Sequence, residues 1–131
     1  MVFLALVSSL CLVLFSKYYG WWRLPVSWSQ PRILMYHMVA DHKKGGSLNK
    51  WRIPVKVFAK QMRYLHEHGW RTVTVSQLNP LQALPEKTVA LTFDDGFEDF
   101  YANAWPILQR YDMKATVFVV PACSDNRWDA G

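Results

Sequence analysis

A largely apolar run, 88–93, ends in Asp94-Asp95-Gly96, and a helix-like segment follows at once. An unbroken run of this kind predicts a strand of a parallel sheet that is covered on both faces. The apolar residues that follow recur at spacings of four, four and three, which places them on one helical face: Phe97, Tyr101, Trp105 and Leu108. The chain therefore has a strand–loop–helix junction here. Junctions of this type, at the carboxyl ends of strands, carry the active sites of α/β folds.

The two adjacent carboxylates suit metal-assisted hydrolysis. Acids are costly to place at the end of a buried strand unless something pairs with them. Neighbouring residues at a strand end point in different directions, so one aspartate can bind a divalent cation while the other takes a proton from the water that the cation activates. Gly96 allows a tight turn and lets a backbone N–H approach an oxyanion. A bare Asp-Asp-Gly is usually a solvated turn, so the strand and helix around it carry this prediction.

The periodicity divides the chain into alternating strands and helices. Four strands are predicted, at 32–36, 71–75, 88–93 and 115–120, and two clear helices, at 54–68 and 98–111. The apolar stripe of the first helix predicts core packing: Val55, Phe58, Met62 and Leu65. A closed parallel α/β barrel needs about 250 residues, so this chain suffices for roughly the first half of one. The last strand would then be a bare apolar edge, and a dimer of half-barrels is the alternative to a partial domain.

An ordered set of motifs resembles the polysaccharide deacetylases, the nodulation-type deacetylase domain of carbohydrate esterase family 4. The segment 92–96, Thr-Phe-Asp-Asp-Gly, resembles the first motif of that family. Other segments resemble the opening strand of its poly-N-acetylglucosamine deacetylase subgroup, the first helix and turn, and the strand after the motif helix: 33–37, 58–65 with Gly69-Trp70, and 115–120. The resemblance covers residues 31–128 in the same order as the family.

The resemblance implies a metal-dependent hydrolase that removes N-acetyl groups from an N-acetylhexosamine polysaccharide. In that family the first aspartate of the motif is the catalytic base and the second binds the metal, here Asp94 and Asp95, with zinc as the expected ion. The family's other ligands lie in a later His-x-x-x-His motif that this sequence lacks, since its four histidines all precede Asp94. We therefore expect a truncated, inactive deacetylase. The alternative is a non-catalytic, membrane-anchored carbohydrate-binding or accessory protein with a remnant site.

The histidines differ in their placement. His37 ends strand 32–36 as Asp94 ends strand 88–93, and parallel strands bring both to one rim of a sheet. A role at the rim of the substrate site and a role as a capped loop histidine both remain open for it. His66 and His68 are two apart on a helix and do not share a face, which argues against a metal site there.

The N-terminal segment predicts a membrane anchor or a signal peptide. Residues 2–15 are uncharged and almost wholly apolar, short for a spanning helix but suited to a signal anchor, and an aromatic flank follows through residue 22. A buried N-terminal helix is the alternative. The expected organisation is an anchor or signal at 1–23, a linker at 24–31 and a partial deacetylase domain at 32–131, with the membrane contacted through residues 2–22.

The charges leave the orientation open. Lys17, Arg23 and Arg32 follow the apolar run, and the positive-inside rule would keep the domain cytoplasmic. The resemblance implies a substrate outside, so we expect the domain to face the periplasm or cell exterior, or to be secreted after cleavage. The net charge of +5 is scattered and no aromatic-basic motif accompanies it, so no nucleic-acid partner is expected. Two cysteines, Cys11 and Cys123, do not form a disulfide framework.

Overall fold

The structure is a computed structural model that describes residue 9 and residues 11–17, 27–79 and 83–120. Its strands are β1 (Arg32–Tyr36), β2 (Met38–Val39), β3 (Arg52–Ile53), β4 (Arg71–Val73), β5 (Thr88–Phe93) and β6 (Thr116–Val117). Its helices in the main domain are α1 (Val55–Glu67) and α2 (Trp105–Arg110), and a π-helical turn, Phe100–Ala104, leads into α2. Residues 98–110 are helical throughout, as the spacing of their apolar side chains predicts. Short 3-10 turns lie at Asn49–Trp51 and Val75–Gln77.

The main sheet is parallel, and β5 lies at its centre. β1 pairs with β5 along its whole length, from Arg32 opposite Val89 to Tyr36 opposite Phe93. The opposite edge of β5 is shared: β4 pairs with its first half and β6 with its second half. All six residues of β5 are buried, which explains why this strand is central. The parallel α/β sheet agrees with the prediction, but β5 lies between β1 and β4, whereas a consecutively wound half-barrel would place β4 beside β1.

Two predicted strands are shorter than expected. The predicted strand 71–75 ends at Val73, because a 3-10 turn begins at Val75. The predicted strand 115–120 pairs only at Thr116–Val117, although the amide of Phe118 still donates to the carbonyl oxygen of Phe93 at 2.8 Å. Both corrections have one cause. β4 and β6 share a single edge of a six-residue strand, so neither has a partner for a longer ladder.

The core lies between one face of the sheet and the helices. Side chains of β5 that alternate along the strand pack there with those of α1, and the largest fully buried ones include Phe58, Met62, Leu91 and Phe93. The predicted stripe of α1 is therefore confirmed, with Val55 partly buried at its start. Burial of each such side chain stabilises the fold by about 1.5–3 kcal/mol. This packing holds β5, and with it the aspartates at its end.

The N-terminal segment is described only in part. Residues 11–17 are helical, and the side chains of Leu12, Val13, Leu14 and Phe15 are more than half exposed. Among the described residues, no helix is long and apolar enough to cross a membrane. Most of the predicted anchor, 2–22, and the end of the chain from residue 121, with Cys123, lie outside the described residues.

Candidate active site

The ends of β1 and β5 bring His37 and Asp94 together. Tyr36 and Phe93 are register partners, so the residues that follow them leave the sheet side by side. The amide of Asp94 donates to the carbonyl oxygen of Tyr36 at 2.9 Å, and His37 Nε2 lies 4.0 Å from Asp94 Oδ2. The predicted proximity of His37 to the aspartates is therefore observed at this rim. The contact is an ion pair only when the imidazole is protonated.

The backbone separates the two aspartates. Asp95 and Gly96 both have left-handed backbone conformations, with φ of 71° and 68°. For a residue with a Cβ atom this conformation costs roughly 1–2 kcal/mol, and such strain is concentrated at functional sites. After this turn Asp95 borders a cavity that Asp94 does not border, whereas Asp94 contacts His37. The two carboxylates thus lie in different surroundings, as two different chemical roles would require.

The cavity beside Asp95 has a volume of about 430 Å³, which is in the range of small-molecule sites. It has one carboxylate, one imidazole and otherwise apolar or aromatic walls, formed by His37, Met38, Leu48, Trp51, Asp95 and Phe97. The rings of His37 and Trp51 are stacked, with centroids 4.6 Å apart and planes inclined by 27°. The cavity therefore combines an acid with a largely apolar wall, an arrangement that can bind an amphipathic ligand.

A second cavity, of about 460 Å³, lies between β1 and α1 and borders neither aspartate. Tyr36 lines it, and the Tyr36 hydroxyl donates to Gln61 Oε1 at 2.9 Å. Burial raises the pKa of this hydroxyl to about 12. None of the residues that line the cavity beside Asp95 lines this second cavity.

Two side chains from the helical turn after the site hold β2 beside it. The carboxylate of Asp99 accepts a hydrogen bond from the amide of Val39, and Asn103 Nδ2 donates to the carbonyl oxygen of the same residue at 2.8 Å. Sequence reasoning missed this pair, although two polar residues four apart on a predicted helix share a face and were a usable signal. It also missed Trp51, because a single tryptophan in a loop belongs to no periodic pattern or motif.

The described residues offer an incomplete set of metal donors. Asp95 and His37 border one cavity, and a carboxylate oxygen and an imidazole nitrogen are both common zinc ligands. Within the described ranges there is no group of three or more His, Cys, Asp or Glu side chains able to hold an ion. Catalytic zinc usually has three protein ligands, so these two residues fit part of such a site. His66 of α1 contacts the ring of Tyr111, and His68, directly after α1, contacts the carbonyl oxygen and the ring of Tyr64. Neither histidine lines the cavity beside Asp95.

Comparison with known proteins finds matches to the polysaccharide deacetylases. The sequence profile described as polysaccharide deacetylase matches residues 81–130. YxkH of Bacillus subtilis, a protein assigned to the polysaccharide deacetylases, is 40% identical over 92 residues, which are 67% of this chain and 31% of YxkH. The poly-beta-1,6-N-acetyl-D-glucosamine N-deacetylase of Escherichia coli K12 is 40% identical over 60 residues, 43% of this chain and 9% of that enzyme.

Two solved structures share the fold. IcaB from Ammonifex degensii has a TM-score of 0.59 and 32% identity, with 70% of this chain and 38% of that chain covered. The Streptococcus pyogenes deacetylase PplD, solved with acetate, has a TM-score of 0.61 and 28% identity, with 79% and 49% covered. The chain spans less than a third of the length of the curated relatives named above. Residues 81–130 match the polysaccharide deacetylase family, and the ordered motifs, the α/β fold and these relatives agree with that match.

Proposed function

We propose that the chain forms the acid-bearing rim of a hydrolase that removes N-acetyl groups from an N-acetylhexosamine polysaccharide. The observation that carries the proposal is the junction after β5, where Asp94 lies 4.0 Å from His37 and Asp95 borders a ligand-sized cavity. The names of relatives, which include poly-beta-1,6-N-acetyl-D-glucosamine N-deacetylases, support an acetylated glycan as the substrate.

Each residue has a separate task in this mechanism. Asp94 acts as the general base and takes a proton from the attacking water, a contribution of about 10²–10⁴-fold in rate. Asp95, with His37 across the same cavity, would hold a divalent cation, with zinc expected. When bound, such an ion polarises the acetamide carbonyl and makes water more acidic. Gly96 has no Cβ atom, so its backbone can come close to the oxyanion that develops on the substrate.

The two acids should respond differently to the same substitution. Asp95→Asn is expected to lower zinc binding, because a neutral amide is a poor ligand for a hard cation. Asp94→Asn is expected to retain the zinc affinity of the unmodified chain, which should itself be weak because the described residues supply fewer than three ligands. The measurement is zinc titration of the full chain by calorimetry, and the matched control is Asp112→Asn, an exposed acid at the far end of α2.

Activity is measured in a fusion protein, because this chain matches only 31% of the length of YxkH. The fusion joins the chain to the part of YxkH that follows the matched segment. Acetate release from an N-acetylglucosamine oligomer should fall by about 10²–10⁴-fold in Asp94→Asn, with zinc content unchanged. If Asp94→Asn strips the metal while Asp95→Asn retains it, the assigned roles are reversed. Submicromolar zinc affinity of the unfused chain, with His66 and His68 both replaced, would show that another ligand completes the site.

We also propose that residues 2–22 direct the protein to a membrane, with the domain outside the cytoplasm. The support is the uncharged run 2–15, together with the exposure of the apolar side chains of helix 11–17, which favours an apolar environment. A reporter that is active only outside the cytoplasm, fused after Gly131, should be active. The same fusion without residues 1–26 is the control and should be silent. A silent full-length fusion with soluble protein would overturn the assignment.

A further inference from the structure

The mechanism above leaves Trp51 unused, although this residue lies in the same cavity as Asp95. It ends the 3-10 turn Asn49–Trp51 and keeps 42% of its surface exposed. Its ring stacks on His37, which in turn lies 4.0 Å from Asp94. The indole therefore lines the cavity beside Asp95, and only the imidazole of His37 lies between it and Asp94.

The surroundings of Trp51 fit a sugar ring. A pyranose has a face of C–H groups, and the positively polarised hydrogens of that face stack on the electron-rich face of an indole. The Lys50 ammonium lies over the Trp51 ring, 5.2 Å from its centroid, in a cation–π contact of the kind that the electron-rich face of an indole makes with positive charge. Lys50 is exposed on a flexible side chain and can leave when a ligand arrives. The apolar walls formed by Met38, Leu48 and Phe97 suit the methyl group of an acetamide.

We infer that Trp51 is the platform that binds the pyranose ring of an N-acetylated hexosamine beside Asp94 and Asp95. The inference rests on the proposed function for the identity of the glycan. It makes Trp51 a binding residue whose removal weakens affinity for the oligosaccharide, whereas Asp94 determines the rate of the chemical step. It also explains why a large aromatic side chain stays exposed at the end of a polar loop.

The test is calorimetric titration of the full chain with a soluble pentamer of N-acetylglucosamine. Trp51→Ala should weaken binding by about tenfold, the equivalent of one aromatic stacking contact. Trp51→Phe keeps a stacking ring and should stay within about threefold of the unmodified chain. Trp105→Ala is the matched control, because Trp105 is 39% exposed and does not line the cavity. Its affinity should not change.

Saturation-transfer NMR of the pentamer with the unmodified chain does not depend on any variant folding. The ring C–H protons of the sugar should receive strong saturation, as expected for a face stacked on an indole. Saturation confined to the acetyl methyl group would overturn the inference. So would an unchanged affinity in Trp51→Ala, or no binding of the pentamer at millimolar concentration.

The two proposals fail in different ways in the YxkH fusion. If Trp51→Ala leaves the KM for the oligomer unchanged while Asp94→Asn abolishes turnover, the proposed hydrolysis stands and the role of Trp51 falls. If binding depends on Trp51 but no fusion releases acetate, the sugar platform stands and the proposed hydrolysis falls. In the expected result, Trp51→Ala raises KM about tenfold with a smaller change in kcat.

Discussion

Two consecutive left-handed residues, Asp95 and Gly96, decide how the acids of this site are presented. The turn reverses the chain directly after β5, so Asp94 stays beside β1 while Asp95 reaches the cavity. Gly96 has a second constraint, because a Cβ atom there would lie 2.9 Å from Val119 Cγ1. The conformation and the close approach both favour glycine at this position.

Replacement of Gly96 by alanine should therefore lower the free energy of unfolding by more than the left-handed backbone conformation alone would. Gly69→Ala is the matched control, since Gly69 has φ of 71° and nothing within 4 Å of the added Cβ atom. We expect about 1–2 kcal/mol of lost stability for Gly69→Ala, and about 1 kcal/mol more for Gly96→Ala because Val119 must move. Urea unfolding of both variants measures the difference. Equal losses would show that Val119 imposes no constraint.

Tyr36 gives the domain a pH dependence in the alkaline range. Burial raises the pKa of its hydroxyl from 10.0 to about 12 in the folded state. The folded state therefore retains a proton that the unfolded state loses, so the contribution to stability is complete below pH 10 and is lost as the pH rises to 12. The free energy of unfolding should fall by on the order of 2 kcal/mol across this range, and Tyr36→Phe should flatten the curve. If the free energy of unfolding of Tyr36→Phe falls equally steeply with pH, the effect comes from other titratable groups.

At the level of secondary-structure elements, the helix that follows the aspartates also stabilises the loop that carries Trp51. Asp99 and Asn103 together bind the amide and the carbonyl of Val39, which is fully buried in β2. β2 pairs with β3, and β3 directly follows Trp51. One turn of helix thus connects the end of β5 to the aromatic wall of the cavity.

Asn103→Ala tests this connection. Loss of the donor leaves a buried carbonyl without that hydrogen bond and should cost about 1–3 kcal/mol, although alanine is the better helix former. Glu98→Ala, an exposed position on the same helical segment, should change stability by less than about 0.5 kcal/mol. Hydrogen exchange at the amide of Val39 should accelerate only in the first variant. Equal protection of that amide in both variants would contradict the prediction.

At the scale of the whole molecule, β1 is an edge strand of the main sheet as the structure describes it. Among the described strands β1 pairs with β5 alone, and Ile33 and Met35 on one of its faces are 61% and 58% exposed. An exposed strand edge with apolar side chains promotes association between chains. The curated relatives named above are more than twice as long as this chain, so the chain taken alone presents a surface that a longer protein can cover.

The chain should therefore self-associate at micromolar concentrations. Replacement of Ile33 and Met35 together by lysine should shift it towards monomer, because charges on an edge strand oppose pairing. Tyr101→Lys, at a helical position that is 76% exposed, is the control and should leave association unchanged. Analytical ultracentrifugation measures all three proteins. An unchanged association in the double variant would locate the contact elsewhere, for example at the exposed residues 118–120.

The sequence by itself determined β5, the helices and the position of the acids, because these follow from local rules. A largely apolar run without a charged residue favours a buried strand, and the apolar spacing along residues 55–67 permits one packing face. Parallel pairing then places His37 beside Asp94. The lengths of β4 and β6 depended on tertiary structure, because both strands share one edge of β5. The position of Trp51 in the cavity also depended on tertiary structure. Its ring stacks on His37, and no local sequence pattern relates these two residues.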